Sequence, residues 1–287
     1  DGSGTGELLE AVVSDFKNNK PEPEESLPRI TIVGRPNVGK SSTINALIGK
    51  ERNIVTSIAG TTRDSIVSTY KQFGHEFLLI DTAGVRKKAK VNEDVEFYSV
   101  MRSIRSIEDS DVCILIIDAE NGMEAQDLNI FNLIKKNNKG VVIFVNKWDL
   151  IEKNNKTAAE YEKNIKNRIA PFSDVPVIFT SAIRKQRLLK GINAAIETYH
   201  NRKRKIKTSE LNRIMLEAIE EYAPPMKKGK IVRIKYVAQL PTYFPAFAFY
   251  CNLPQYVSEV YKRYLENKIR ENWNFTGVPI QIFIRKK

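Results

Sequence analysis

From residue 29 to about 200, short β-branched runs alternate with longer stretches whose apolar residues fall three or four apart. The runs predict strands at 29–33, 66–72, 76–80, 112–117, 141–145 and 176–179. The wider spacing predicts helices over roughly 40–49, 93–107, 124–137, 157–169 and 188–202. Runs such as VCILIID and VVIFVN are apolar at nearly every position rather than at every second one. That suits strands covered on both faces, hence an α/β fold: a mostly parallel six-stranded sheet with helices on both sides. Gly74 marks a hairpin between the second and third runs, which places one antiparallel strand at the sheet edge.

After HNRKRKIK the pattern changes. TSELNRIMLEAIEEY carries Leu211, Ile214, Met215, Ala218, Ile219 and Tyr222 on one helical face; Thr208 or Ser209 is the expected cap and Pro224 the stop. Two strands, IVRIKYVA and AFAFY, a helix striped by Val257, Val260, Tyr261, Tyr264, Leu265 and Ile269, and a strand PIQIFIR complete an α-β-β-α-β order. This predicts a small, separate α+β domain at 205–287, after an α/β domain at 29–204. At the other end, Leu8, Leu9, Val12, Val13 and Phe16 fall at helical spacing before the Pro- and Glu-rich stretch NNKPEPEESLP. A helix of about a dozen residues is marginal alone in water, and the chain starts with Asp. Residues 1–28 are therefore expected to be the tail of a preceding domain plus a linker.

Five short motifs carry chemistry. GRPNVGKS at 34–41 fits G-x-x-x-x-G-K-[ST] between a strand and a helix, the context that a phosphate cradle requires. Gly34 and Gly39 let the backbone curl so that N–H groups point inward, and the helix beginning near Lys40 adds its positive end. Asn37, Val38 and Ser42 belong to the same cradle; Lys40 would bridge the β- and γ-phosphates and the Ser41 hydroxyl would hold Mg²⁺. NKWD at 146–149 follows the strand VVIFV and so lies on the same sheet edge. The Asp149 carboxylate only accepts hydrogen bonds, which matches the N1–H and 2-amino donors of guanine and not adenine. Two lost bonds to a charged group, at roughly 1.5–3 kcal/mol each, would cost a wrong base a hundredfold or more. Asn146 would fasten the loops, Lys147 would lie along the base, and TSA at 180–182 would bring Ser181 and offer the Ala182 N–H to guanine O6. DTAG at 81–84 would contact Mg²⁺ through Asp81 and the γ-phosphate through the Gly84 N–H. GTTRD at 60–64 would let Thr62 reach Mg²⁺ while the γ-phosphate is present.

Composition narrows the field. No stretch approaches the roughly 18 apolar residues of a membrane span and none resembles a secretory leader, so a cytoplasmic protein without a membrane anchor is expected. Cys113 and Cys251 sit inside apolar strand-like runs and read as buried thiols; with His75 in a turn and His200 at a helix end, histidine catalysis is not expected. Net charge is +12, and from Lys205 onward there are 15 Lys and Arg against seven Glu and no Asp. Such a field favours a polyanionic partner.

The motifs, in this order, resemble the translation-factor-like class of P-loop GTPases. GRPNVGKSS, GTTRDS, DTAGVRKK, NKWDL and YKRYLENKIRE…GVPIQIFIRKK more narrowly resemble the bacterial double-GTPase family called Der or EngA. The related tRNA-modifying GTPases usually end in a cysteine signature, whereas this chain ends in IFIRKK. The resemblance implies a second G domain followed by a KH-like domain, with 1–28 ending a first G domain. It also implies Mg²⁺-dependent GTP hydrolysis as a conformational switch in biogenesis of the large ribosomal subunit, with that subunit, its precursor or rRNA as partner, by a monomer. Its catalytic set falls on Lys40, Thr62, Gly84 and Asn37. Where many P-loop GTPases carry a water-orienting glutamine, this chain has Val85; the resemblance then implies a hydrophobic-substituted GTPase in which Asn37 ligates K⁺. The alternative is a nucleotide-gated rRNA-binding module with negligible hydrolysis. Residues 85–98 are expected to move with nucleotide state and rearrange against the C-terminal domain. That domain has glycines only at 229 and 277 and so lacks the G-x-x-G backbone clamp of RNA-binding KH domains. Lys227, Lys228, Lys230, Arg233, Lys235, Lys262 and Arg263, near Tyr236, Tyr243 and Phe244, are the expected RNA contacts.

Overall fold

The computed structural model describes residues 27–48, 67–80, 104–154, 156–227 and 229–286. The first sheet contains β1 (Arg29–Val33), β2 (Val67–Gln72), β3 (His75–Ile80), β4 (Val112–Asp118), β5 (Gly140–Asn146) and β6 (Val177–Phe179). Their order is β2-β3-β1-β4-β5-β6, parallel except for β2, which pairs antiparallel with β3 across the Gly74 turn. Helices α1 (Lys40–Ile48), α2 (Ala125–Lys136), α3 (Thr157–Ile169) and α4 (Leu188–Lys203) cover it. Of the helix expected at 93–107, most lies outside the described residues; residues 104–109 are helical.

The unbroken apolar character of β4 follows from its place in the middle. Cys113, Leu115 and Ile117 point into one core with Phe131, Ile134, Ile165 and Phe172, while Val112, Ile114 and Ile116 point into the other with Ile44, Phe144, Ile192 and Tyr199. Each fully buried large apolar side chain contributes roughly 1.5–3 kcal/mol. A polar residue at any of these positions would therefore lose both the apolar gain and its hydration. No helix among the described residues is long and apolar enough to cross a membrane.

The second sheet, β7 (Ile234–Gln239), β8 (Ala246–Cys251) and β9 (Gln281–Lys286), runs in that order, β7 antiparallel and β9 parallel to β8. Helices α5 (Thr208–Glu221) and α6 (Glu259–Asn272) pack on one face around Leu211, Met215, Val237, Phe247, Phe249, Leu265 and Ile269. Two local expectations shift. The run IVRIKYVA becomes a strand only from Ile234: the Asn252 side chain takes the Ile231 carbonyl (3.0 Å) and the Arg233 N–H (2.8 Å), and the register shifts between Ile234 and Tyr236. Thr208 and Ser209 lie inside the first turn of α5 instead of capping it, because Gln239 holds the Arg204 carbonyl and the Ile206 N–H (2.8 Å each) and so fixes the chain just before Lys207, the cap position.

The two sheets are joined by the segment after α6. Gly277 accepts from the Val141 N–H and donates to the Asp174 carbonyl, both at 2.8 Å. Its φ is +78°, and a Cβ there would lie 2.6 Å from Thr198 Oγ1 and 3.0 Å from the Val141 carbonyl oxygen, so glycine alone fits. Arg270 reaches from α6 to Asp174 (3.2 Å) and also bonds Glu266, the Phe275 carbonyl and the Val278 carbonyl. Gln281 donates to Asn138 at 2.7 Å. This docking lies at the start of β5, away from the rim where β1 and β5 end.

Candidate functional site

At that rim, β1 gives way to the loop 34–39 and then to α1. Val38 is buried in the core beneath the loop and pins it from below. The Gly39 carbonyl accepts from the Thr43 N–H and hydroxyl, both 2.9 Å, which starts α1 at Lys40. Gly39 has φ +96°, and a Cβ on it would lie 2.2 Å from Asn146 Nδ2. Asn37 is exposed at φ +63°, and Ser41 and Ser42 are exposed on the first turn of α1.

Lys40 folds back over the loop and donates to the carbonyls of Gly34 (2.8 Å) and Arg35 (2.6 Å). Burial lowers its pKa below the ordinary 10.5, an effect that the nearby Asp127 carboxylate only partly offsets. A partly dehydrated ammonium beside inward-facing amides is well suited to hold a dense anionic group.

Arg35 is half-buried beside Lys40 and anchors the loop to α2. Its Nε donates to Asp127 Oδ2 at 2.9 Å and its Nη1 lies 2.5 Å from Glu124. Asp127 is fully buried and also accepts the Glu124 N–H at 3.0 Å, so one carboxylate caps α2 and braces the loop. This brace was not anticipated: Asp127 reads in sequence as an ordinary first-turn acid, and its partner lies 92 positions away.

The NKWD segment closes the other half of the site. Asn146 is buried; its Nδ2 donates to the Val38 carbonyl at 2.9 Å and its Oδ1 accepts the Ala182 N–H at 3.0 Å. One side chain thus ties the glycine loop to the TSA loop. Lys147, at φ +61°, donates to Asp118 Oδ2 at 2.6 Å. The Trp148 ring packs against Phe179 (4.2 Å) and Tyr161 (5.5 Å). Asp149 lies beside the Ser181 hydroxyl, which is the main cause of its lowered pKa, with Arg184 Nε 3.7 Å away. The carboxylate is held ionised and acceptor-only.

Gly34, Asn37, Val38, Gly39, Lys40, Ser41 and Ser42 therefore share one rim with Asn146, Lys147, Asp149, Ser181 and Ala182. Thr62, Asp81, Gly84, Val85 and the segment 85–98 lie outside the described residues. Ala182 differs from expectation in one respect: its N–H is donated to Asn146, so guanine O6 would have to share it. Among the described residues no cluster of three His, Cys, Asp or Glu is built to hold a metal. Among the described residues, the Ser41 hydroxyl and the Asn37 amide are exposed oxygen donors at the rim. Cys113 is buried against Ser110, and burial pushes its thiol up to about 12, which leaves it inert. Of the expected RNA contacts, Tyr243 and Tyr236 are exposed, Phe244 is half-buried, and Lys262 pairs with Glu259 at 2.7 Å.

Two family profiles match the chain: the 50S ribosome-binding GTPase over residues 29–147, and the KH-domain-like C-terminal domain of EngA bacterial GTPase enzymes over residues 205–285. GTPase Der of Flavobacterium johnsoniae is 61% identical over 289 residues, and GTPase Der of Phocaeicola vulgatus 60%. In both, the match takes in 100% of this chain and 66% of the relative, so the chain spans slightly less than two thirds of their length. Among solved structures, a variant of Aquifex aeolicus Era bound to GDP·AlF4⁻ aligns over 91% of this chain and 93% of that one, at 20% identity and a TM-score of 0.48.

Proposed function

Because this chain belongs to the Der (EngA) family of GTPases, we propose that residues 29–204 bind GTP and hydrolyse it to GDP and phosphate, and that this switches how the molecule engages the large ribosomal subunit or its precursor. The KH-like domain, 205–287, makes the rRNA contact. On this reading the molecule works in the cytoplasm as a monomer. The observation that carries the proposal is Asn146, whose two hydrogen bonds hold the glycine loop and the TSA loop together beside Asp149.

The chemistry follows from charge and position. Lys40 bridges the β- and γ-phosphates; on binding, its ammonium exchanges carbonyl partners for phosphate oxygens, a stronger charge-assisted pairing. The Asp149 carboxylate accepts from guanine N1–H and the 2-amino group, and the Asp118 carboxylate aims Lys147 along the base. The exposed Ser41 hydroxyl fits a Mg²⁺ ligand, with Thr62 and Asp81 completing that set; when bound, Mg²⁺ neutralises phosphate charge. Gly84 donates its N–H to the γ-phosphate. Val85 has no hydrogen-bonding group with which to orient the attacking water, so another group must stabilise charge in the transition state. Asn37, exposed at the loop tip, fits a K⁺ ligand in that place. Val85 also favours the second reading, a nucleotide-gated rRNA-binding module with negligible hydrolysis. Single-turnover rates in KCl and NaCl at equal ionic strength separate the two. Faster hydrolysis in KCl supports the catalytic reading, equal rates remove the K⁺ role, and no turnover in either leaves the module. Sedimentation with 50S subunits should then differ between GDP and a non-hydrolysable GTP analogue.

A further inference from the structure

The KH-like sheet has two faces, and among the described residues helices pack on one of them. Phe247, Phe249 and Cys251 of β8, with Val237 of β7 and Ile282 and Ile284 of β9, pack toward α5 and α6. Side chains alternate along a strand, so Ala246, Ala248 and Tyr250 face the other way. The register sets Tyr236, Tyr250 and Arg285 side by side in one row, and Ala238, Ala248 and Phe283 in the next. The Tyr236 and Tyr250 rings are 5.9 Å apart. Tyr236 is 43% exposed and Phe283 40% exposed, and Arg285 and the neighbouring Lys235 are exposed. Between the rings, Ala246 and Ala248 are fully buried and Ala238 is half-buried, so the rings and Arg285 supply the accessible part of this face.

We propose that this aromatic face of the KH-like sheet is a stacking platform for single-stranded RNA, in which Tyr236, Tyr250 and Phe283 each take a base and Arg285 and Lys235 meet phosphates. The inference rests on the reading of RNA as partner and assigns that partner to a surface other than the helical groove. The groove lacks its clamp: residues 252–258, between β8 and α6, read NLPQYVS and contain no glycine. Three rings on adjacent strands about 4.8 Å apart match the span of two or three consecutive bases, the geometry by which sheet-based RNA-binding domains work. Charge selects the occupant, since residues 205–287 carry 15 Lys and Arg against seven Glu, and a basic residue stands in the aromatic row. Stacking tolerates any base, so affinity should depend on strandedness and salt more than on sequence.

The test uses the chain in GDP with a fluorescent 12-nucleotide single-stranded RNA and a hairpin duplex of equal length, followed by anisotropy. The single strand should bind more tightly. Tyr236→Ala and Phe283→Ala should each weaken it roughly 5- to 100-fold, with duplex affinity and urea midpoint unchanged. Tyr236→Phe and Phe283→Tyr should keep wild-type affinity. Phe73→Ala, which removes an exposed ring from the β2–β3 turn of the other sheet, should have no effect. Arg285→Gln should lower the salt dependence by about one phosphate contact. If the wild-type chain binds RNA but ring removal changes nothing, the platform is wrong and the RNA partner stands. If it binds neither RNA, both fall. A photo-crosslinking residue at position 283 of the full-length protein that labels protein instead of RNA would also overturn the proposal.

Discussion

Gly39 and Asn146 should be energetically inseparable, and a double-mutant cycle measures this directly. Removing the Asn146 side chain leaves the Val38 carbonyl and the Ala182 N–H without their partner. Each buried group left unpaired costs about 1–3 kcal/mol, so Asn146→Ala should cost about 2–6 kcal/mol of stability. Gly39→Ala inserts a Cβ 2.2 Å from Asn146 Nδ2, and among the described residues, its chain neighbours aside, Asn146 atoms are all that lie within 4 Å of it. The amide must swing away, which forfeits the same two hydrogen bonds, and alanine at φ +96° adds about 1–3 kcal/mol of backbone strain. In the Asn146→Ala background the clash disappears and only the strain remains. The double variant should therefore be less damaged than the sum of the singles by about 2–6 kcal/mol, read from urea unfolding of nucleotide-free protein. GDP affinity from calorimetry should show the same non-additivity, because both changes release the glycine loop from the base loop. Additivity within about 0.5 kcal/mol would refute the argument that Asn146 is the tie.

Asp149→Asn should reverse base choice, so that calorimetry finds xanthosine diphosphate bound more tightly than GDP; continued preference for GDP would remove Asp149 as the base reader. Lys40→Met should abolish nucleotide binding yet hold or raise the urea midpoint at pH 7, since burial makes the charged ammonium costly in the folded state. The sign of the pH dependence follows: the folded chain binds fewer protons between the lowered Lys40 pKa and 10.5, so wild-type stability should gain on the Met variant as pH rises through that window. Arg270→Met should cost about 2–4 kcal/mol and speed hydrogen exchange at the Val141 and Gly277 amides, because Asp174 and two carbonyls lose a shielded guanidinium. Lys268→Met, which breaks an exposed pair with Glu271, should leave the urea midpoint unchanged within error.

The contrast between Arg270 and Lys268 also marks what sequence reasoning reaches. Periodicity shows which face of an element is buried; it does not show against what. The strands at 112–118 and 140–146 were legible because every position in them is covered, and the glycine loop and NKWD because each is a local pattern with a local function. The Arg35–Asp127 brace, the Lys147–Asp118 pair and the docking of Gly277 on Val141 join residues far apart in the chain, and no local pattern announces them. Asn252 shows the same limit from the other side. IVRIKYVA alternates as a strand should, yet a single amide from a later turn takes the backbone groups of Ile231 and Arg233. The aromatic face was half legible: Tyr236 was singled out as a ring near basic residues, but the register that sets Tyr250 beside it, and Phe283 two residues along, belongs to the sheet.

Strand β5 links the two working ends of the molecule. Its first residues receive Gly277, and its last residue is Asn146. Seven residues at about 3.3 Å each put these ends roughly 20 Å apart. Every residue between them is buried, with β4 on one side and β6 on the other. Such a strand cannot slide, because a shift of one residue would turn every side chain to the wrong core. It fixes distance and orientation and carries no motion. On the proposed reading, a nucleotide signal from the rim does not reach the docked KH-like domain by way of β5; among the described residues that leaves two routes, action on a ribosomal partner beside the γ-phosphate or a break in the Gly277 docking. The first route is the less costly, since the second loses the whole Arg270 and Gly277 network. Exchanging GDP for a GTP analogue should then alter binding to 50S subunits while changing affinity for a short single-stranded RNA by less than about twofold, which corresponds to about 0.4 kcal/mol. A tenfold change in the short-RNA affinity would mean that the docking opens with nucleotide state and that β5 is not the rigid spacer its burial implies.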